Sequence, residues 1–326
     1  MFRLLRLRCE RKGWQNKRPF IGKNRIRKTF ISFSICSVIT FFIISVSNAQ
    51  IKHVVIQINE NQSFADTFSM SNAPYMTGLI QQYGAIVTNF YANTHPSIGN
   101  YFELLTGQIL TNDDSKTPSN FPISIDNLIR QINAAGYTWK AYCESIPSVG
   151  YTGGNAGEYA VRHCAIPYLT DVQNNAAQRQ NLVDFPQFSK DLRNNQLPTF
   201  SFIIPNLIND VHDSDIPTGD NWIKNNMAQL FNSPTFYEDT VYIFTWDESA
   251  DDNTHGGGKI ETAFLGATVK QGYSQQSSTL YQQASTGQTI LWLLGITPPA
   301  DMHDIAAAPI MSEFFHTDTI PPSWRY

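Results

Sequence analysis

The chain has 326 residues, with 23 Lys and Arg against 27 Asp and Glu, a formal net charge of −4. Beyond residue 49 the balance is 12 basic to 26 acidic residues, a net charge of about −14, which excludes nucleic acid as the expected partner because a polyanion needs basic contacts. Hydrophobic residues at 42% and aromatics at 13% suit one large domain or two modest ones around a well-filled core.

The first 49 residues differ from the rest. Met1–Lys28 carry eleven Lys or Arg and one acid, Glu10. The apolar run FISFSICSVITFFIISV follows, and Ser47-Asn48-Ala49 is a small-x-small close before Gln50. Basic, apolar and small-residue segments in that order predict an export signal over residues 1–49 and a secreted or periplasmic product. The alternative is an N-terminal membrane anchor, because the apolar run approaches a spanning length. Cys9 and Cys36 fall in this leader, leaving Cys143 and Cys164. An even pair in an oxidising compartment predicts one disulfide, closing a loop of roughly 20 residues and worth about 3 kcal/mol. Two buried free thiols are the alternative.

In chain order, HVVIQIN (His53–Asn59) is a β-branched run and reads as a buried strand. YMTGLIQQYG (Tyr75–Gly84) has helical spacing and a glycine stop, and AIVTNFYA (Ala85–Ala92) is a second strand. A helix is expected over Ile98–Thr106. IDNLIRQINAAG (Ile125–Gly136) has apolar residues at 125, 128, 129 and 132, a helix, and YTWKAYC (Tyr137–Cys143) is the strand after it. Tyr151–Ser189 is rich in Asn and Gln with weak periodicity, and is expected to be an insertion or lid. TFSFIIP (Thr199–Pro205) and TVYIFTW (Thr240–Trp246) are two more buried strands. The helix between them is expected to start after Gly219-Asp220 and run to about Phe231. IETAFLGATV (Ile260–Val269) is a strand and STGQTILWLLG (Ser285–Gly295) a closing helix. Strands alternating with helices predict an α/β fold, a three-layer α/β/α sandwich on a mostly parallel sheet. Residues 50–326 are expected to form a single domain.

Sites in such folds lie at the carboxyl ends of the strands. The first strand ends in Asn59-Glu60-Asn61, the fourth in PNLINDVHDSD (Pro205–Asp215), and the fifth in Trp246-Asp247-Glu248-Ser249, with His255 further on. Converging carboxylates repel one another unless a positive charge sits between them. Hard oxygen ligands with a few imidazoles suit a divalent cation. In THPSIGNYFELLTG, Ser97 stands at the mouth of the helix Ile98–Thr106. Serine there is either an N-cap or a nucleophile favoured by free N–H groups, the helix dipole and a nearby cation.

HVVIQINENQSF, THPSIGNYFELLTG, IPNLINDVHD, GDNWI and FTWDES together resemble the ordered signatures of the bacterial and fungal phosphoesterase family. That family holds acid phosphatases and phosphatidylcholine-hydrolysing phospholipases C within the alkaline phosphatase-like superfamily. The resemblance runs from about His53 to Gly295. It implies a metal-dependent hydrolase of phosphoric esters in which Ser97 becomes phosphorylated. It implies one divalent metal ion on Glu60, Asn61, Asp247 and Glu248, with the Ser97 oxygen completing the shell. It assigns Asn100 to a phosphoryl oxygen, and His95, His212 and His255 to phosphate binding or to protonating the leaving group. His212 and His255 are the favoured proton donors. Asn209, Asp210 and Asp213 belong to the matching substrate block. The implied substrate is a small phosphate ester or a phospholipid head group, and no protein partner can be inferred. Two departures stand out: Gly99 where the family often has proline, and Tyr281-Gln282-Gln283-Ala284 where relatives commonly carry a histidine. The favoured activity is an acid phosphatase. The alternatives are a phospholipase C acting on diesters and a non-catalytic exported binding protein on the same fold.

Overall fold

The computed structural model describes residues 51–234 and 236–316. The basic leader and the signal or anchor lie outside the described residues. Among the described residues no helix is long and apolar enough to cross a membrane.

Eight strands form one sheet: β1 (His53–Asn59), β2 (Gly84–Val87), β3 (Trp139–Cys143), β4 (Leu182–Val183), β5 (Phe200–Ile204), β6 (Thr240–Trp246), β7 (Thr262–Gly266) and β8 (Tyr273–Ser274). Their order is β4-β3-β5-β1-β6-β7-β2-β8. Only β7 runs against its neighbours, pairing antiparallel with β6 and β2. β1 lies at the centre, parallel to β5 and β6. Its register pairs Asn59 with Trp246. The next residues of the two strands, Glu60 and Asp247, therefore leave the sheet side by side.

Every residue of β5, β6 and β7 is buried. Successive strand side chains point to opposite faces, so burial without alternation requires cover on both. Two helical groups provide it. Helix α1 (Pro74–Tyr83) packs on α4 (Ile216–Asn226), and α2 (Ile98–Thr106) packs on α3 (Leu128–Ala134) and α5 (Gln283–Leu293). The result is the expected three-layer α/β/α arrangement.

Some boundaries differ from the sequence expectation. β2 stops at Val87 rather than Ala92; beyond it Phe90 and Tyr91 make only single bridges, to Tyr281 and Lys259. α4 starts at Ile216, ahead of Gly219-Asp220, because the Asp215 carboxylate caps the Thr218 N–H at 3.0 Å and Pro217 suits the first turn. Gly219 does not break this helix. A Cβ there would stand 2.5 Å from Val211 Cγ2, so the glycine allows close approach of the loop after β5. Residues 151–189 contain the edge strand β4, parallel to β3. Cys143 at the end of β3 is bonded to Cys164, with Cα atoms 6.0 Å apart.

Candidate active site

The carboxyl ends of β1 and β6 bring together carboxylates that are removed from water. Glu60, Asp210 and Asp247 are all at most 1% exposed. Backbone bonds fix the strand ends: the Glu60 N–H donates to Asp210 O at 2.8 Å and the Asp247 N–H to Asn59 O at 3.0 Å. Asn61 adopts a left-handed conformation (φ 58°), which asparagine tolerates, and its N–H donates to Asp247 Oδ1 at 2.9 Å. Burial raises the pKa of Glu60 well above the carboxylate range, and the charges of Asp247 and Asp210 raise it further. Burial likewise raises Asp247, pushes Asp210 up to about 8, and pushes Glu248 up to about 9 with help from the Asp247 charge. Asp247 Oδ2 is buried with no hydrogen-bond partner among the described residues.

His163 joins this group. Its Nδ1 lies 3.0 Å from Asp210 Oδ2 and its Nε2 3.3 Å from Glu60 Oε2. Burial, then the Arg162 charge, holds its pKa well below the usual histidine value, so the ring is neutral. A proton on Nδ1 serves Asp210, which leaves the Nε2 lone pair facing a carboxylate oxygen. When Glu60 is ionised these are two acceptors facing each other in a buried space, and either a proton on Glu60, which its raised pKa favours, or a cation between them relieves the clash. Glu60, His163 and Asp210 offer ligand atoms within 4.8 Å of one another, and a carboxylate behind a histidine is the usual support for a metal-binding ring. The donor set therefore fits a divalent ion. Sequence reasoning missed His163. The available signal was its place beside Cys164, whose disulfide ties this loop to the end of β3.

Ser97 precedes α2 but does not cap it with its side chain. Its hydroxyl donates instead to Glu60 Oε2 at 3.0 Å. The Tyr101 hydroxyl, one turn on, donates to the other Glu60 oxygen. Asn100 meets a geometry different from the phosphoryl contact expected of it. Its Oδ1 accepts the N–H groups of Asn93 and Thr94 at 2.9 and 3.2 Å, and its Nδ2 donates to Thr94 O at 2.8 Å. It clamps the loop that leads into His95 and the cis peptide before Pro96. His95 Nδ1 lies 2.8 Å from Glu248 Oε2, and its Nε2 lies 3.0 Å from Asp252 O. Gly99, the departure from the family pattern, allows close packing: a Cβ there would be 2.4 Å from Asn112 Oδ1.

After β5, Val211 takes φ 83°, an unusual conformation for a β-branched residue. It stands between Asp210, which points inward, and His212 at the rim. The His212 N–H donates to Asp210 Oδ1 at 2.8 Å, and its ring nitrogens face Asp213 Oδ1 at 2.6 Å and Arg162 Nη2 at 3.1 Å. Asn209 turns elsewhere, donating to Glu144 Oε2 at 2.9 Å. His255 is exposed, with its ring edge-on to Tyr91 at 4.5 Å, and among the described residues no hydrogen bond or ion pair joins it to the carboxylate centre. The structure thus gathers Glu60, Ser97, Asp210, Asp247 and His163, adds Glu248 and His95 beside them and His212 and Asp213 at the rim, and leaves Asn209 and His255 apart.

The phosphoesterase family model matches residues 66–291. A phosphatidylinositol-3-phosphatase of Mycobacterium tuberculosis is 33% identical over 241 residues, covering 74% of this chain and 77% of that protein. A probable acid phosphatase of Kluyveromyces lactis is 31% identical over 198 residues, 58% of this chain; the match spans 46% of that relative's length. Among solved structures, a protein in the alkaline phosphatase superfamily from Vibrio parahaemolyticus has a similar fold, with a TM-score of 0.52 at 14% identity over 82% of this chain and 72% of that one.

Proposed function

The chain belongs to the phosphoesterase family and hydrolyses phosphoric esters, and from that premise we propose that it is a metal-dependent phosphomonoesterase of the acid phosphatase type, working through Ser97. The observation that carries this reading is the Ser97 hydroxyl, held 3.0 Å from a buried carboxylate at the head of α2. Glu60, Asp247, Glu248 and His163 would hold one divalent ion, with Asn61 and the Ser97 oxygen at its edge. Bound there, the ion supplies the positive charge that lowers the serine hydroxyl's pKa and screens the carboxylates.

In this reading Ser97 Oγ, its proton lost to solvent as its pKa falls, attacks phosphorus, an Oγ–P bond forms, and the bond to the leaving oxygen breaks. His95 and the head of α2 lie where the equatorial oxygens gain charge, an electrostatic role. Asn100 serves the same step indirectly by fixing the loop that carries His95 and Ser97. The leaving oxygen takes a proton at the rim, where His212, backed by Asp213, is the group that the geometry favours over His255. Water then cleaves phospho-Ser97. The substrate is a small phosphomonoester or a phosphorylated lipid head group. The basic and apolar leader supports export, and we read residues 50–326 as one catalytic domain.

Ser97→Ala tests the reading. Turnover of p-nitrophenyl phosphate should fall about a thousandfold or more, with circular dichroism and melting unchanged. Near wild-type turnover in that variant would refute the nucleophile.

A further inference from the structure

Arg162 stands where the rim of the site meets the head of α2. Its Nη2 is 3.1 Å from His212 Nε2, and its Nε is 3.4 Å from Asp114 Oδ2. The other Asp114 oxygen accepts the Ile98 N–H at 3.2 Å. Ile98 follows Ser97 directly. The next N–H groups of the helix, on Gly99, Asn100 and Tyr101, go to the carbonyls of Pro96 and Ser97. A single carboxylate thus bridges the first helical N–H and a guanidinium, immediately beside the proposed nucleophile.

Phosphoryl oxygens favour the same two partners, a helix N-terminal N–H and an arginine fork. The present partners of Arg162 leave it available for one. Arginine cannot accept a hydrogen bond, so His212 Nε2 is the acceptor and its Nδ1 proton serves Asp213. The guanidinium therefore faces a neutral ring nitrogen on one side and a carboxylate at 3.4 Å on the other. Neither is the bidentate anion that suits it best.

Charge balance then separates substrates. The centre is lined by carboxylates, and a phosphomonoester dianion brings one more negative charge to it than a diester does. Arginine stays charged at every working pH and can offset that extra charge at the rim. We propose that Arg162 is the specificity residue that makes this site prefer phosphomonoester dianions over diesters, with Asp114 positioning its guanidinium at the head of α2. The proposal rests on the reading of Ser97 given above. When substrate arrives, Nη2 passes from His212 to a phosphoryl oxygen, and His212 Nε2, no longer accepting from the guanidinium, can take up from solvent the proton that it gives to the leaving oxygen.

The test compares wild type, Arg162→Gln and Arg162→Lys at fixed divalent ion and pH 8. The readouts are KM and kcat for p-nitrophenyl phosphate and the inhibition constants of inorganic phosphate and dimethyl phosphate. In Arg162→Gln, KM and the phosphate constant should rise together by about 10- to 100-fold, while the constant for dimethyl phosphate moves less than about threefold. Arg162→Lys should recover part of the phosphate affinity because it keeps the charge. Equal weakening of both inhibitors, or no change in either, overturns the proposal. Should Arg162→Gln fail to fold, Asp114→Asn keeps an oxygen for the Ile98 N–H but loses the charge on Nε. It must weaken phosphate more than dimethyl phosphate, or the proposal falls. Phosphate binding to the Ser97→Ala protein, read by calorimetry, needs no turnover. Affinity there that ignores Arg162 sinks this inference alone, whereas retained turnover in Ser97→Ala sinks the nucleophile alone.

Discussion

His163 shows how one side chain can decide what a cluster of acids is for. Its ring is fully buried, with Asp210 on one nitrogen and Glu60 on the other. Without a cation, Glu60 is held toward its protonated form, since an ionised carboxylate would repel the Nε2 lone pair. With one, both become ligands, and Asp210 fixes the ring as a support. Replacing His163 with alanine should therefore weaken divalent-ion binding about 10- to 100-fold in calorimetry. Unchanged affinity would place the ion elsewhere among the carboxylates. Glu60 and Asp247 could be found from the sequence because each directly follows a β-branched or aromatic run, and strand ends converge by topology. His163 could not. It follows no strand and has no periodic neighbours, and it reaches the site through the Cys143–Cys164 bond and through bonds from its loop to the segment after β5. Asn100 was found but given a different part. Its spacing from Ser97 puts it one turn along the helix, yet nothing in the sequence says that its amide turns back onto Asn93 and Thr94.

At the scale of elements, the strands of the sheet centre were legible because full burial leaves an unbroken apolar run. The run Ala85–Ala92 misled for the same reason. Phe90 and Ala92 are completely buried, but among the described residues Phe90 makes only a single bridge and Ala92 none, so burial persists where the regular ladder has stopped. The start of α4 was hidden by Gly219, which reads as a breaker and is in fact a packing contact with Val211. The loop from Cys143 to Cys164 is the element on which the site depends most. It carries Arg162 and His163, and its covalent closure limits the unfolded chain. Replacing both cysteines with serine should cost about 3 kcal/mol and lower the melting temperature by about 5–10 °C. Because the freed loop carries two site residues, phosphatase activity should also fall well below the melting range. A double variant that melts early yet keeps full activity at 20 °C would show that β5 and the following loop, rather than the disulfide, hold Arg162 and His163 in place.

For the whole molecule, the decisive property is an acidic chain that buries part of its own charge at the centre of the sheet edge. The raised carboxyl groups set the sign of its pH response. A carboxyl whose folded pKa lies above its unfolded value contributes full stability below the unfolded value. That contribution is lost as pH rises through the folded one. Asp210 titrates at about 8 and Glu248 at about 9, both raised chiefly by burial. Glu103 and Glu261, each at about 7, act in the same direction, again chiefly through burial. His163 is shifted the other way, so it weakens the fold only toward acid, below the ordinary histidine value near 6.5. Above pH 7 it no longer opposes the carboxyls, and the window from pH 7 to 9 isolates them. In chelator, the melting temperature should therefore fall steadily from pH 7 to 9. With a divalent ion present the fall should be reduced or reversed, because ligands that have lost their protons bind the ion more tightly. The gap between the two melting curves should thus widen with pH. Differential scanning calorimetry at matched ionic strength reads both curves. A chelated protein that holds or gains stability across this window would mean that the carboxyls are already compensated from within the chain, and the proposal of a resident cation would lose its main physical support.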